Sequence, residues 1–266
     1  MTEPKIVLTE SSNHDGQLKT VHNTLDVLEY LSENKSPVRL TQICKHFGFP
    51  KSKVHRILAT LEERSYVQQD ENRMYVMGVG SWFLARSVSS VDKLIEILKS
   101  NLDYLSAEVK ETLFISTLMR RSITYIHTRM SSSPTLAYIS VGTQLPIHAT
   151  SSGKILLSHQ EPEFLNELIN DGLQRFTENT ITDGDELVRQ IEQAKQNGYS
   201  IEREEQNYGL SAVATSIPAF APLNHVALGF LMPSSRADMM YLKKLAGILL
   251  HEKEKIFENY KALSQL

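Results

Sequence analysis

The stretch LTQICKHFGFPKSKVHRILATL, Leu40 to Leu61, decides the fold of the N-terminal part of this chain. Its first eight residues place Leu40, Ile43, Cys44 and Phe47 on one side at helical spacing. Gly48 follows, a residue able to take the left-handed conformation that ends a helix. Pro50 then restarts the chain, and proline is favoured where a new helix opens. From Lys51 to Glu63, Val54, Ile57, Leu58 and Leu61 form an apolar stripe, leaving Lys51, Ser52, Lys53, His55, Arg56, Ala59 and Thr60 outward. Upstream, Val21, Leu25, Leu28 and Leu31 repeat the same period until Ser36 and Pro37 stop it. Downstream, residues 66–69 and 73–76 read as strands around Asp70, Glu71 and Asn72, a hairpin signal. Helix, short helix, tight turn, helix and hairpin make a winged helix-turn-helix, expected over residues 18–77.

The formal net charge of −3 argues against a nucleic-acid partner for the chain as a whole. Its distribution argues the other way. No acidic residue occurs between Glu33 and Glu62, whereas Lys35, Arg39, Lys45, Lys51, Lys53 and Arg56 all fall in that gap. A local positive patch on a recognition helix is what a duplex groove requires. Lys51 and Lys53 would neutralise phosphates, while Ser52, His55 and Arg56 are better suited to base edges. Thr41, Thr60 and, in the wing, Arg73 complete the expected DNA-facing set. Two plainer readings compete: a solvated basic face, and a winged helix that binds protein instead of double-stranded promoter DNA.

The remainder reads as mixed strands and helices. A linker helix is expected over residues 78–92 and a second domain over 93–266. Strands are expected near residues 113–119, 123–129, 199–202, 213–217 and 226–232. Helices are expected from near Thr150, Pro162 and Asp183, with a long amphipathic one over residues 236–263. This order gives an α+β class. With 41% hydrophobic and 22% charged residues and no apolar run of bilayer length, no membrane partner is expected. Residues 1–17 lack the apolar core of a signal peptide and read as a disordered arm, which places the protein in the cytoplasm by default. The single cysteine, Cys44, excludes an intrachain disulfide and falls on a buried stripe. Nine histidines show no zinc spacing, so neither metal nor cofactor is expected.

Residues 40–61, together with LPIHATSSGKILL (Leu145 to Leu157) and NGYSIEREE (Asn197 to Glu205), resemble in order the motifs of IclR-family transcriptional regulators. The resemblance runs from about Lys19 onward. It implies a winged helix joined to a GAF-like effector-binding domain, a homodimer or homotetramer on palindromic DNA, and a small organic or aromatic acid as small-molecule effector.

Thr150, Ser151, Ser152, Gly153 and Lys154 open a helix, so the N–H groups of Ser151, Ser152 and Gly153 are candidate partners for an effector carboxylate. The alternative is that Thr150 or Ser151 merely caps that helix. The resemblance adds Glu202, Ala212, Gly229 and Leu231 to the effector site. It also marks departures, with Glu202 where Asp or Ser is preferred, and Ala212, Gly229 and Leu231 where hydroxyls or a thiol would hold a small oxoacid. A larger, less polar effector follows, such as an aromatic carboxylic acid. The acid-rich run from Glu202 to Glu205 reads as a solvated edge that Arg203 neutralises, and a metal there would need His148 or His127 nearby.

An enzyme is the main rival class, because Ser151 to Lys154 spells S-x-x-K, but S-D-N and K-T-G are both missing. A phosphate-binding loop fails because His148 and Ile155 stand where it needs Gly and Ser or Thr. No residue is therefore read as catalytic. A regulator without an effector, whose second domain only oligomerises, is the third reading.

Overall fold

The apolar stripes just described define two separate cores. The structure, a computed structural model, describes residues 18–34, 36–86, 89–131, 133, 137–219 and 223–263. The arm expected over 1–17 lies outside them. The chain divides between Ser89 and Ser90 into two units.

In the N-terminal unit, α1 (Lys19–Glu33), α2 (Leu40–Phe47) and α3 (Lys51–Glu63) pack around Val27, Leu31, Ile43, Val54, Leu58 and Leu61. Gly48 caps α2 at φ +65°, so the chain can reverse within three residues. Strands β1 (Val67–Gln69) and β2 (Tyr75–Met77) pair antiparallel with Val67 opposite Met77, and Val38 bridges to Tyr75. The winged helix-turn-helix is thus present. Its second strand starts two residues later than the sequence suggests. The Asp70 carboxylate accepts hydrogen bonds from the N–H groups of Asn72 and Met74, and Arg73 is turned to φ +56°. Cys44 is half-buried against the core rather than fully inside it. Helix α4 (Val79–Arg86) follows. Helix resumes as α5 (Ser89–Ile97), with residues 87 and 88 outside the described set.

The C-terminal unit is an antiparallel sheet with helices on both faces, the α+β, GAF-like form. Besides α5 it contains α6 (Lys99–Glu108), β3 (Thr112–Met119), β4 (Ser122–Arg129), β5 (Gln144–Pro146), α7 (Ser151–Leu157) and α8 (Pro162–Asn170). It closes with α9 (Gly184–Asn197), β6 (Tyr199–Arg203), β7 (Leu210–Pro218), β8 (His225–Pro233) and α10 (Met239–Leu263). The strand order is β5-β4-β3-β8-β7-β6. Strand β8 shows why its sequence is apolar throughout. Val226, Leu228, Phe230 and Met232 face a core shared with Leu102, Leu105, Leu242 and Leu249 of α6 and α10. Ala227 and Leu231 face the opposite core, with Ile155, Leu187 and Ile191 of α7 and α9. A strand buried on both faces loses the alternation that a half-exposed one keeps.

Two elements depart from expectation. The short edge strand β5 carried no period-2 signal. The last helix begins at Met239 rather than Arg236, because Asp238 caps it: the Tyr241 N–H donates to the Asp238 carboxylate at 2.7 Å and the Leu242 N–H to its carbonyl at 3.0 Å, while the Arg236 guanidinium pairs with the buried Glu111 carboxylate at 2.7 Å. Among the described residues no helix is long and apolar enough to cross a membrane.

Leu58 is fully buried at the centre of the N-terminal core. Leu58→Ala is expected to destabilise that unit by about 2–5 kcal/mol, the range for a buried leucine that leaves a cavity. Urea unfolding of the full chain followed by helix ellipticity checks this, and a change within error of zero would contradict the packing described.

Candidate nucleic-acid interface and sensor site

On α3 the core stripe consumes one side, and the other side is left to solvent. Lys51, Ser52, His55, Arg56 and Thr60 are exposed, as is Thr41 in the first turn of α2. Thr60 gives its hydroxyl proton to the Arg56 carbonyl at 3.0 Å. Arg73 projects from the hairpin turn and is also exposed. Lys53 differs. It is half-buried, its ammonium 3.4 Å from the centre of the Phe49 ring. Seven of the eight expected side chains are therefore open to a partner, and five of these share one helix face that holds no carboxylate before Glu62.

In the C-terminal unit the expected effector residues are all buried. Glu202 lies opposite Ala212, Ala212 opposite Leu231 and Leu231 opposite Thr112, so one row crosses β6, β7, β8 and β3. The next row holds Ser200, Ala214, Gly229 and Phe114. Helix α7 lies over these rows. Ser116 on β3 donates its hydroxyl to Ser152 at 2.8 Å, and the Ser200 hydroxyl donates to the Ser151 carbonyl. Gly229 is required where it stands, since a β-carbon there would meet the Phe114 ring at 2.5 Å. Phe114 in turn packs edge-on against Tyr125, with ring centres 5.2 Å apart.

Two expectations are corrected here. The Gly153 N–H is not free for an anion, because it donates to the Thr150 hydroxyl at 3.0 Å. The capping alternative therefore describes this position. A β-carbon on Gly153 would lie 1.6 Å from the Ile147 carbonyl oxygen, so the glycine serves close packing of α7 on the turn that leads into it from β5. The run from Glu202 to Glu205 is not a solvated edge. Glu202 and Glu205 are buried, and Lys154 rather than Arg203 compensates them. The Lys154 ammonium, itself buried, donates to Glu205 Oε1 at 2.6 Å and to Gln190 Oε1 at 2.9 Å. Lys154 of the S-x-x-K match is thereby committed to an ion pair.

One lysine faces two carboxyl groups. Glu202 Oε1 accepts the Glu205 N–H at 2.9 Å, yet burial, reinforced by the Glu205 charge, pushes the Glu202 carboxyl up to about 8. Burial also raises Glu205, against the pull of Lys154. Burial raises the Tyr125 phenol, and the Glu202 charge adds to it; a hydrogen bond with Ser152 opposes both. Ser116, Ser152 and Tyr125 thus form one hydrogen-bonded group beneath α7, and Glu202, at the β6 edge, bears on Tyr125 through its charge. Phe114, Ser116, Tyr125 and Glu205 were not singled out by sequence. Only a strand register placing Phe114 and Ser116 on the α7 side would have exposed the first two.

Two clefts lie beside these rows. One of about 550 Å³ is lined by Asn179, Arg203, Glu204, Ser211, Ser234 and Ser235. Another of about 300 Å³ opens beside α9 and β6, with Lys154, Gln190, Ser200 and Glu205 among its walls. Neither is lined by Ser152, Ala212, Gly229 or Leu231. His148, buried, bonds to the Gln174 carbonyl at 2.9 Å. Among the described residues no three His, Cys, Asp or Glu side chains converge as metal ligands.

Comparison with known proteins is consistent across both units. The family model described as "Bacterial transcriptional regulator IclR C-terminal" matches residues 86–257, and "IclR helix-turn-helix domain" matches residues 20–71. The HTH-type transcriptional regulator KdgR of Escherichia coli is 30% identical over 216 residues, covering 80% of each chain. An IclR transcriptional regulator from Alicyclobacillus acidocaldarius has a similar fold, with a TM-score of 0.76 at 24% identity over 91% of this chain and 99% of that one. An IclR homolog from Microbacterium hydrocarbonoxydans, complexed with 4-hydroxybenzoate, gives a TM-score of 0.76 at 21% identity over the same shares.

The buried acid pair carries a pH signature. With its folded-state value raised from 4.5 to about 8, Glu202 holds a proton in the native state that the unfolded chain releases. Its stabilising contribution is full below about pH 4.5 and is lost as pH rises toward 8. The slope it adds is at most about 1.4 kcal/mol per pH unit. Glu202→Gln is expected to flatten the fall in denaturant stability between pH 5 and pH 8. An unchanged slope in that variant would show that Glu202 is ionised throughout.

Proposed function

The chain belongs to the IclR family of transcriptional regulators, and from that premise we propose that it binds palindromic promoter DNA through α3 and senses an aromatic carboxylic acid in its C-terminal unit. The observation that carries the first part is the exposed, carboxylate-free face of α3, with Lys51, Ser52, His55 and Arg56 outward. A groove about 12 Å wide admits one such helix. Lys51 and Lys53 bind phosphates, Ser52, His55 and Arg56 read base edges, Thr41 and Thr60 flank them, and Arg73 touches the adjacent backbone. The exposed apolar side chains Val21 and Leu25 on α1, and Val79 and Phe83 on α4, support a homo-oligomer. Two half-sites on DNA follow from a two-fold partner. The protein acts in the cytoplasm and is not an enzyme.

The effector lies along the row of Glu202, Ala212 and Leu231, beneath Ser151 and Ser152. The hydroxyls of Ser152 and Tyr125 and the protonated Glu202 carboxyl supply donors for an acid group, while Ala212, Leu231 and Phe114 receive the ring. The Microbacterium hydrocarbonoxydans homolog complexed with 4-hydroxybenzoate supports an aromatic acid as the class. A second reading, in which the unit only oligomerises, draws support from Phe114 filling the space beside Gly229.

Two experiments test these readings. A duplex selected from a random pool by the full-length protein should bind Lys51→Gln more weakly and with a salt slope lower by about one, and Arg56→Gln more weakly and with relaxed sequence discrimination. Equal affinity and slope in both variants would remove α3 from the interface. Calorimetric titration should show binding of 4-hydroxybenzoate or benzoate and little of glyoxylate or pyruvate. The reverse ranking would refute the aromatic class, and no binding by any of them would favour the effector-free reading.

A further inference from the structure

Phe49 stands immediately before the proline that opens α3, and its half-buried ring belongs to an aromatic series running back to α1. Tyr30 packs against Phe47 with ring centres 5.5 Å apart, and Phe47 stacks on Phe49 at 5.3 Å and 19°. The Lys53 ammonium sits over the far end of this series, 3.4 Å from the centre of the Phe49 ring. A cation held over a ring face is attracted by the ring's electron density, and more strongly where water is partly excluded. Burial draws the Lys53 ammonium down from its ordinary value. Lys19 on α1 acts in the same direction and Asp26 opposes it. Its neighbour Lys51 has no such seat and is exposed.

We propose that Phe49 is a positioning residue for DNA binding: its ring, braced by Phe47 and Tyr30, holds the Lys53 ammonium at the first turn of α3, ready for a backbone phosphate. A free lysine gives up rotamer freedom when it settles on a phosphate. A seated one has given that up already, so the same contact is stronger. The apolar ring thereby sets how much one cation contributes. This rests on the reading of α3 as the helix that faces the duplex.

The test uses the full-length protein and a fluorescent duplex selected from a random pool, titrated by anisotropy from low to moderate salt. Lys53→Met should weaken binding and lower the salt slope by about one. Phe49→Leu, which keeps an apolar side chain against Phe47, should weaken binding about two- to fivefold, the range a cation–ring contact spans. The double variant should bind no worse than Lys53→Met alone, and Phe49→Trp should restore the affinity lost in Phe49→Leu. Thermal melting of each variant separates positioning from folding. If the Phe49→Leu loss persists in full on the Lys53→Met background, or Phe49→Trp fails to restore it in a protein that melts normally, the seat is refuted. If Lys53→Met binds as the parent does while Arg56→Gln does not, the seat is also refuted and α3 keeps its role. If neither variant loses affinity, the duplex-facing reading of α3 fails with it.

Discussion

One buried lysine between two buried carboxyl groups sets the terms for the C-terminal unit. The Lys154 side chain is 1% exposed and that of Glu205 is 9% exposed, so neither finds in water what it would lose by separation. A buried pair contributes little net stability over an apolar replacement, but losing one partner strands the other charge. The surroundings are fixed accordingly. Gln190 brings α9 to the lysine, and the Thr177 and Thr180 hydroxyls hold the carbonyls of Glu204 and Glu205 at 2.6 Å each. Glu202 takes the Glu205 N–H, which draws the end of β6 into the same group. Helix α7, the β6–β7 connection and α9 therefore cannot shift independently.

The N-terminal unit solves the opposite problem. Its charges are kept in water, and only the stripe of Val54, Ile57, Leu58 and Leu61 enters the core. Because the stripe alone anchors α3, the residues between its members are free of structural duty. That freedom is what allows the cations to gather on one side, with carboxylates deferred to Glu62 and Glu63 at the end of the helix. Lys53 is the exception, its ammonium set over the face of the Phe49 ring.

How far the sequence could be read follows from the range of the forces involved. Helices α2 and α3 were legible to the residue, because apolar period, Gly48 and Pro50 are all local signals and agree. Strand β8 was legible as a strand but not as to facing, since burial on both sides erases alternation. Helix α10 starts three residues later than the spacing predicts, at the Asp238 cap, and Arg236 ahead of it pairs with Glu111, 125 positions away. The Lys154 and Glu205 pair, 51 positions apart, left no local trace either, and the acidic run looked solvated for that reason. Gly153 invited an anion-binding reading from its place at a helix start. The reason for the glycine is the Ile147 carbonyl beneath it, a contact no spacing rule encodes.

The α7 side of the sheet is shaped by what lies over it. Ala212, Ala214, Ala227 and Gly229 are small, and the space above them is taken by the Phe114 and Tyr125 rings and by α7. Gly229 cannot enlarge, because a β-carbon there would meet the Val213 carbonyl oxygen at 2.4 Å and the Phe114 ring at 2.5 Å. Hydrogen-bonding capacity is left to Ser116, Ser152, Tyr125 and Glu202. These four side chains thus lie at the margins of a patch of small apolar side chains that the Phe114 ring covers.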